Sequence, residues 1–431
     1  MSFYSSSIST RLIDPVFNQT NTRCEFRLPS ETVLLSNMRL LNVGATTALL
    51  ATAKYNALVG APGTMKAIRL LDGNQVLDQI NDVNRWMAFK NYTKNNTVCS
   101  NLNNTLSQNA LGYVYDQPNI TRVDASGQFL PDSDFSKIIP FKGSGNVRHL
   151  EEDTTSAWVS LRDLFPMLAS VVNVNTTVFK NLRVVIEWTK SHQDYAIDIS
   201  GDAILKTVQP LLCVDELTAD TPMKREIMGK FDPISFAVIE QDRVNVKALV
   251  TTEINSSTFQ LQGFNNKKVN RVCVQKVRST GSAYASTLFG TMGSPTMLDE
   301  THQWRINGSN LYSQPISNYN EALALTNDVW GVCDQPLGGC PYIGNYGAGQ
   351  NIGNHIDRHF PDSLPLMGET SYISADFHGQ RIRELQMTYG RSGIANVANT
   401  RYNEAITLLI FAEVQRVIVP SKTGGYVVSY L

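Results

Sequence analysis

Charge is scarce in this chain. Asp, Glu, Lys and Arg make up 17 % of its 431 residues, against about 25 % in an ordinary soluble protein. The two signs nearly cancel, with 37 basic and 38 acidic residues and a net charge of −1. A nucleic-acid reader usually carries a basic face or stripe, so no specific nucleic-acid site is expected. Long apolar runs are missing as well. No stretch approaches the ~18 apolar residues of a membrane-spanning helix. Met1-Ser2-Phe3-Tyr4-Ser5-Ser6-Ser7 has neither the basic n-region nor the apolar run of a secretory signal. Cysteine is thin: Cys24, Cys99, Cys213, Cys273, Cys333 and Cys340. Only the last two are close, and their spacing fits neither a zinc ribbon nor a CxxC redox motif. Free thiols made in a reducing compartment are the expectation. The Asn-x-Ser/Thr triplets at Asn91, Asn95, Asn119 and Asn307 then follow from the richness in Asn and Thr and not from glycosylation.

Strong helices are also lacking, since no amphipathic helix of about 12 residues stands out. What is there is short and strand-like: apolar or alternating runs at 24–28, 38–43, 65–71, 182–188, 269–277, 382–388, 405–411 and 414–419. Asp72-Gly73-Asn74 and Asn307-Gly308-Ser309 each follow such a run, and these are the residues that supply the positive φ of a tight hairpin. One helix signal is clear. Ser160 sits at a capping position, Asp163 follows three residues later, Leu161, Leu164, Phe165 and Leu168 share a face, and Pro166 shortens it.

Two stretches rich in Asn, Ser, Gly and Pro interrupt the pattern, at 90–145 and 331–368. Irregular segments this long usually have a role of their own. Between them, at the midpoint, 216–233 is more charged and reads as a linker with a short helix. The parts on either side repeat in order: a strand, an Asp-Gly or Asn-Gly turn, a long excursion, then a late strong strand, with 182–188 matched to 408–414. The reading is a mainly β chain of two tandem jelly-roll β-sandwiches, a double jelly roll, with short helices in the connections. Its parts are an N-terminal arm (1–22), a first jelly roll (23–215), the linker (216–233) and a second jelly roll (234–431).

No catalytic constellation emerges, no cofactor is called for, and the chain is read as a non-enzyme. The densest set of metal-ligating types is His355-x-Asp357-x-His359. Alternation on a strand would bring all three to one face, but the loop-like context and the missing fourth ligand leave it a weak metal candidate. Lys267, Lys268 and Arg271 form a small basic cluster that reads as a strand face.

Four segments carry a family likeness: Arg11-Leu12-Ile13-Asp14-Pro15 leading into Phe26-Arg27-Leu28-Pro29; Ile68 through Asp78; Leu161-Arg162-Asp163-Leu164-Phe165-Pro166 ahead of Lys180-Asn181-Leu182-Arg183-Val184; and Arg305-Ile306-Asn307-Gly308-Ser309. In these the chain resembles the double jelly-roll major capsid proteins of icosahedral double-stranded DNA viruses, in the lineage of polinton-like viruses, virophages and nucleocytoplasmic large DNA viruses. The resemblance implies a homotrimeric, pseudo-hexagonal capsomer that tiles a virion shell. It implies neighbouring capsomers, penton proteins and minor capsid proteins as partners, with an internal membrane as a further candidate. The alternative is a carbohydrate-binding or carbohydrate-active β-sandwich, with Trp86, Trp158, Trp304 and Trp330 available to stack on sugars.

Overall fold

The computed structural model describes residues 8–19, 22–43, 45–46, 54–55, 61–92, 157–189, 196–197, 206–207, 210–218, 220–278, 300–317, 319–330, 372–393, 403–421 and 425–431. Eight principal strands form the first half: β1 (Ile8–Ile13), β2 (Arg23–Arg27), β3 (Arg39–Val43), β4 (Met65–Asp72), β5 (Gln75–Asn81), β6 (Ala157–Ser160), β7 (Leu182–Trp188) and β8 (Leu211–Leu217). They make two antiparallel sheets in the orders β1-β8-β3-β6 and β2-β7-β4-β5. The second half has β9 (Ile234–Val246), β10 (Ile254–Gln260), β11 (Lys267–Arg278), β12 (Thr301–Ile306), β13 (Ser309–Asn310), β14 (Ile373–Ile382), β15 (Leu385–Ser392) and β16 (Ile406–Pro420). Its principal strands run β9-β16-β11-β14, with Tyr426–Tyr430 pairing along the end of β16, and β10-β15-β12-β13. Adding eight to every label of the first half reproduces the second. Each half is a jelly roll, and among the described residues no sheet takes strands from both.

The hairpin signals place the repeat correctly. β4 and β5 turn through Gly73, with φ of +57°, and β12 and β13 turn through Asn307 and Gly308, at +51° and +88°. The late strands pair differently from the sequence-based match. The counterpart of β7 is β15, and 408–414 belongs to β16, whose counterpart is β8. The reason is burial. Leu408 through Ala412 are all nearly or fully buried, because β16 faces its own core on one side and the other sandwich on the other. That makes β16 the strongest apolar run of the second half, whatever its topological place.

The N-terminal stretch is, from Ile8 onward, part of the first sandwich. β1 pairs with β8 over six residues, and Phe17–Gln19 pairs with β2. Among the described residues five α-helices fill the connections: α1 (Val83–Tyr92), α2 (Leu161–Leu164), α3 (Pro166–Ser170), α4 (Pro222–Gly229) and α5 (Tyr319–Trp330), beside two 3-10 turns at Ala61–Thr64 and Gln262–Phe264. The 160–168 signal becomes two short helices. Pro166 cannot donate to the first and opens the second. Ser160 holds the N-cap position without a side-chain cap bond. In the charged midpoint segment, α4 is capped by the Thr221 hydroxyl, which accepts from the Lys224 N–H. The excursions, apart from 90–92 at the end of α1, lie outside the described residues.

Candidate functional site: the seam between the sandwiches

α1 and α5 occupy the same place in the two jelly rolls, each following the fifth strand of its half. They meet through aromatic rings. Phe89 stands edge-on to Trp330 at 4.9 Å between centroids and to Tyr372 at 4.8 Å, while Trp86 lies 5.9 Å from Trp330 and 5.6 Å from Phe411 of β16. Edge-to-face pairs of this kind add about 0.5–1.5 kcal/mol each beyond burial. The Arg271 guanidinium lies over the Trp330 ring at 4.2 Å. Its fork donates to both carboxylate oxygens of Glu413, at 2.7 and 3.0 Å, and to the Val329 carbonyl. The basic cluster seen in the sequence is therefore divided: Arg271 backs the Trp330 ring from within the second sandwich, and Lys267 lies 3.7 Å from Glu240 and over the Tyr430 ring.

A polar clasp runs alongside. Asp82, between β5 and α1, is 2 % exposed with φ of +48°. Its carboxylate accepts from Lys66 of its own half and from Gln241 and Arg243 of the other. Burial raises its pKa, but the Lys66 charge and hydrogen bond, the Gln241 bond and the Arg243 charge together hold it below the usual carboxylate range. Arg416 of β16 donates to the Val76 and Leu77 carbonyls, both at 2.9 Å. β5 is an edge strand, and this guanidinium takes the place of a further strand there. Gln275 donates to the Arg85 carbonyl, and Asn175 to the Met228 carbonyl at the end of α4. The buried apolar residues of both halves form one continuous core.

Asp78 sits at this seam with no exposed surface. Its two oxygens accept the Met167 and Gln79 N–H groups, each at 2.8 Å. Burial pushes it up to about 7, against the pull of those N–H groups and of Arg416. The folded chain then holds a proton between roughly pH 4 and 7 that an unfolded Asp, of pKa about 3.9, has released. A raised carboxyl stabilises the folded state at low pH, and this contribution is lost as pH rises through that window. The expected loss is about 1.4 kcal/mol per pH unit, or about 4 kcal/mol in all. Asp78→Asn should flatten it. Urea midpoints of both proteins at pH 5, 6, 7 and 8 check this, and curves that stay parallel across the range would remove the assignment.

Other sequence candidates fare differently. His355, Asp357 and His359 lie outside the described residues, as do Cys99, Cys333 and Cys340. Cys24, Cys213 and Cys273 are buried free thiols, each pushed up chiefly by burial. No group of three or more His, Cys, Asp or Glu placed to hold a metal occurs among the described residues, and none of their helices is long and apolar enough to cross a membrane. Trp304 is fully buried and Trp86 is 5 % exposed. Trp330 is partly buried and packed by Arg271, Phe89 and Trp86, and Arg39 lies over Trp158 at 5.4 Å. Neither Asp82 nor Arg416 was singled out by the sequence. The one signal for Asp82 is an acidic residue between a strand and a helix, which reads only as a cap.

No protein-family model matches the chain, and no curated protein matches it in sequence. Solved structures do. The mavirus major capsid protein superposes with a TM-score of 0.55 over 99 % of this chain and 90 % of its own, at 10 % identity. A chain of the Sputnik virophage gives 0.53 over 98 % and 88 %, at 11 % identity. The Faustovirus major capsid protein gives 0.51 over 96 % and 90 %, at 9 % identity. With both sheet orders repeated in each half, the chain has the double jelly-roll fold that these viral capsid structures share.

Proposed function

We propose that this chain is a major capsid protein, a structural and non-catalytic subunit that trimerises into pseudo-hexagonal capsomers of an icosahedral virion shell. The observation that carries the reading is two sandwiches of one topology, locked by a buried seam into a single block, in a fold that capsid proteins match nearly end to end. Three such blocks give six sandwiches around a threefold axis, which is how a trimer fills a hexagonal position. The sparse, balanced charge suits identical neighbours, because repulsion between copies stays small. The helices from which the excursions leave, α1 and α5, touch each other. Neighbouring capsomers, pentons, minor capsid proteins and an underlying membrane are the partners this role calls for, and the virion is its place, after synthesis in a reducing compartment.

The test is light scattering with negative-stain imaging of the purified chain. A trimer with a six-lobed outline is the expected result, and a monomer persisting at high concentration would overturn the reading. The carbohydrate alternative gains nothing from the geometry, since Trp86 and Trp304 offer no open ring face to a sugar. Glycan binding lost in Trp330→Ala would revive it.

A further inference from the structure

The eight principal strands of the two jelly rolls match in order, and one difference between the halves stands out at a sheet edge. In the first sandwich β2 is covered: Phe17–Gln19 pairs along it, and β2 itself carries Arg23, Glu25 and Arg27. Its counterpart β10 is bare among the described residues. It is the terminal strand of its sheet there, paired only with β15, over seven consecutive residues and without a bulge. Its sequence, Ile254-Asn255-Ser256-Ser257-Thr258-Phe259-Gln260, has no charge and no proline, and none of its residues is buried. Ile254 is 80 % exposed. Natural sheets blunt exposed edges with charge, proline, bulges or brevity, and other edges of this chain do so. β13 has two residues. β14 carries Asp376, His378 and Arg381 and is bulged against β11. β5 is capped by Arg416.

The backbone phase of this edge can be read off its ends. Glu253 accepts from the Gly393 N–H, and the Leu261 N–H donates to Leu385. Antiparallel ladders alternate with period two. Odd-numbered residues therefore bond inward to β15, and Ile254, Ser256, Thr258 and Gln260 turn their N–H and C=O groups outward.

We propose that β10 is a strand-pairing edge whose occupant is β10 of a second copy, antiparallel about a twofold axis through Ser257. That register sets Ser256 opposite Thr258 of the other copy and Ile254 opposite Gln260. Every such pair joins two outward-facing residues, so each forms a hydrogen-bonded rung. Ser257 meets its own equivalent in a close, non-hydrogen-bonded pair, with Cα atoms about 4.5 Å apart. β10 is neutral throughout, so no like charges meet close to the twofold axis when the edge pairs with its own copy. The contact is isologous. A trimer has no internal twofold axis, so the contact joins one capsomer to the next. The inference therefore rests on the capsid reading and specifies one contact within it.

The experiment uses the full chain in three forms: wild type, Ser256→Lys and Ser257→Cys. Ser256 is exposed, so the lysine should leave fold and trimer intact while raising the concentration needed for association of trimers at least tenfold. Ser257→Cys, mildly oxidised, should give a covalent dimer above the wild-type background, since the expected Cα separation lies within disulfide range. Amides of 254–260 should exchange more slowly in assembled than in unassembled wild type. Ser256→Lys trimers that associate as well as wild type, with unchanged exchange at 254–260, would overturn the edge pairing and leave the capsid reading standing. A wild type that never self-associates would overturn both.

Discussion

Phe89→Ala is expected to split the unfolding of this chain into two transitions. Phe89 is 1 % exposed, and its ring is held by Trp330 and Tyr372 of the second half and by Trp86 of its own helix. Truncating a buried phenylalanine costs about 3–5 kcal/mol, as lost transfer free energy plus a cavity that relaxes only partly. Here the lost contacts lie mostly between sandwiches, so the loss falls on their coupling and less on either core. Chains of several domains unfold as one step only while the coupling outweighs the difference in stability between the parts. With the aromatic contacts reduced, the remaining ties are the Asp82 clasp, whose Lys66 and Arg243 partners are about half exposed, the Arg416 fork on β5 and the Gln275 bond to Arg85. Calorimetry and denaturant titration followed by tryptophan fluorescence should show one transition in wild type and two in the variant. One unshifted transition in Phe89→Ala would mean that the rings fill space without coupling the halves.

The parts of the fold that could be read from the sequence are those fixed by local chemistry. Asn307-Gly308 demands two positive φ values and so marks a hairpin, and Gly73 does the same in the first half. Together they register the repeat at its fourth and fifth strands. β7 and β11 announce themselves by β-branched and alternating residues. α1 and α5 were not legible. α5, Tyr-Asn-Glu-Ala-Leu-Ala-Leu-Thr-Asn-Asp-Val-Trp, has no strong apolar stripe, and α1 ends just where the sequence turns irregular. Both helices stand because they pack on one another and, for α5, on β14, and tertiary contact of this kind commonly outweighs local preference. The seam was illegible for the same reason. Asp82 is 159 and 161 residues from Gln241 and Arg243 in sequence, and only the topology brings it to them. The edge at β10 shows the converse: its neutral sequence was visible from the start, but it acquires meaning only when the repeat supplies a covered strand for comparison.

Glu300→Gln is expected to destabilise the second sandwich by about 3–5 kcal/mol, the usual cost of breaking a buried ion pair from one side. Lys276 of β11 has no exposed surface, and its ammonium lies 2.7 and 3.0 Å from the two oxygens of Glu300, just before β12 in the facing sheet. The pair thus ties the two sheets together, and the Tyr389 hydroxyl of β15 donates to the same carboxylate at 3.0 Å. Burial lowers the Lys276 pKa, and Glu300 pulls it back up. Without that counter-charge it should fall further. A lysine with a depressed folded pKa binds fewer protons folded than unfolded, so stability rises with pH until the unfolded group, at about 10.4, also loses its proton. Glu300→Gln should therefore be weakest near neutral pH, recover toward pH 10, and show a steeper rise than wild type. His302 beside it works in the same sense at lower pH. Burial and the Lys276 charge push it down to about 3, so it stays neutral when folded, and stability is lost as pH falls below about 6.5. A second substitution decides between an electrostatic and a steric cause. Lys276→Met in the Glu300→Gln background removes the buried charge at similar volume and should restore much of the loss. Denaturant midpoints of the single and double variants at pH 7 and pH 9.5 give the answer. A double variant no more stable than Glu300→Gln alone would assign the loss to packing and hydrogen bonding around Tyr389, and the ion pair would then contribute only the register between the sheets.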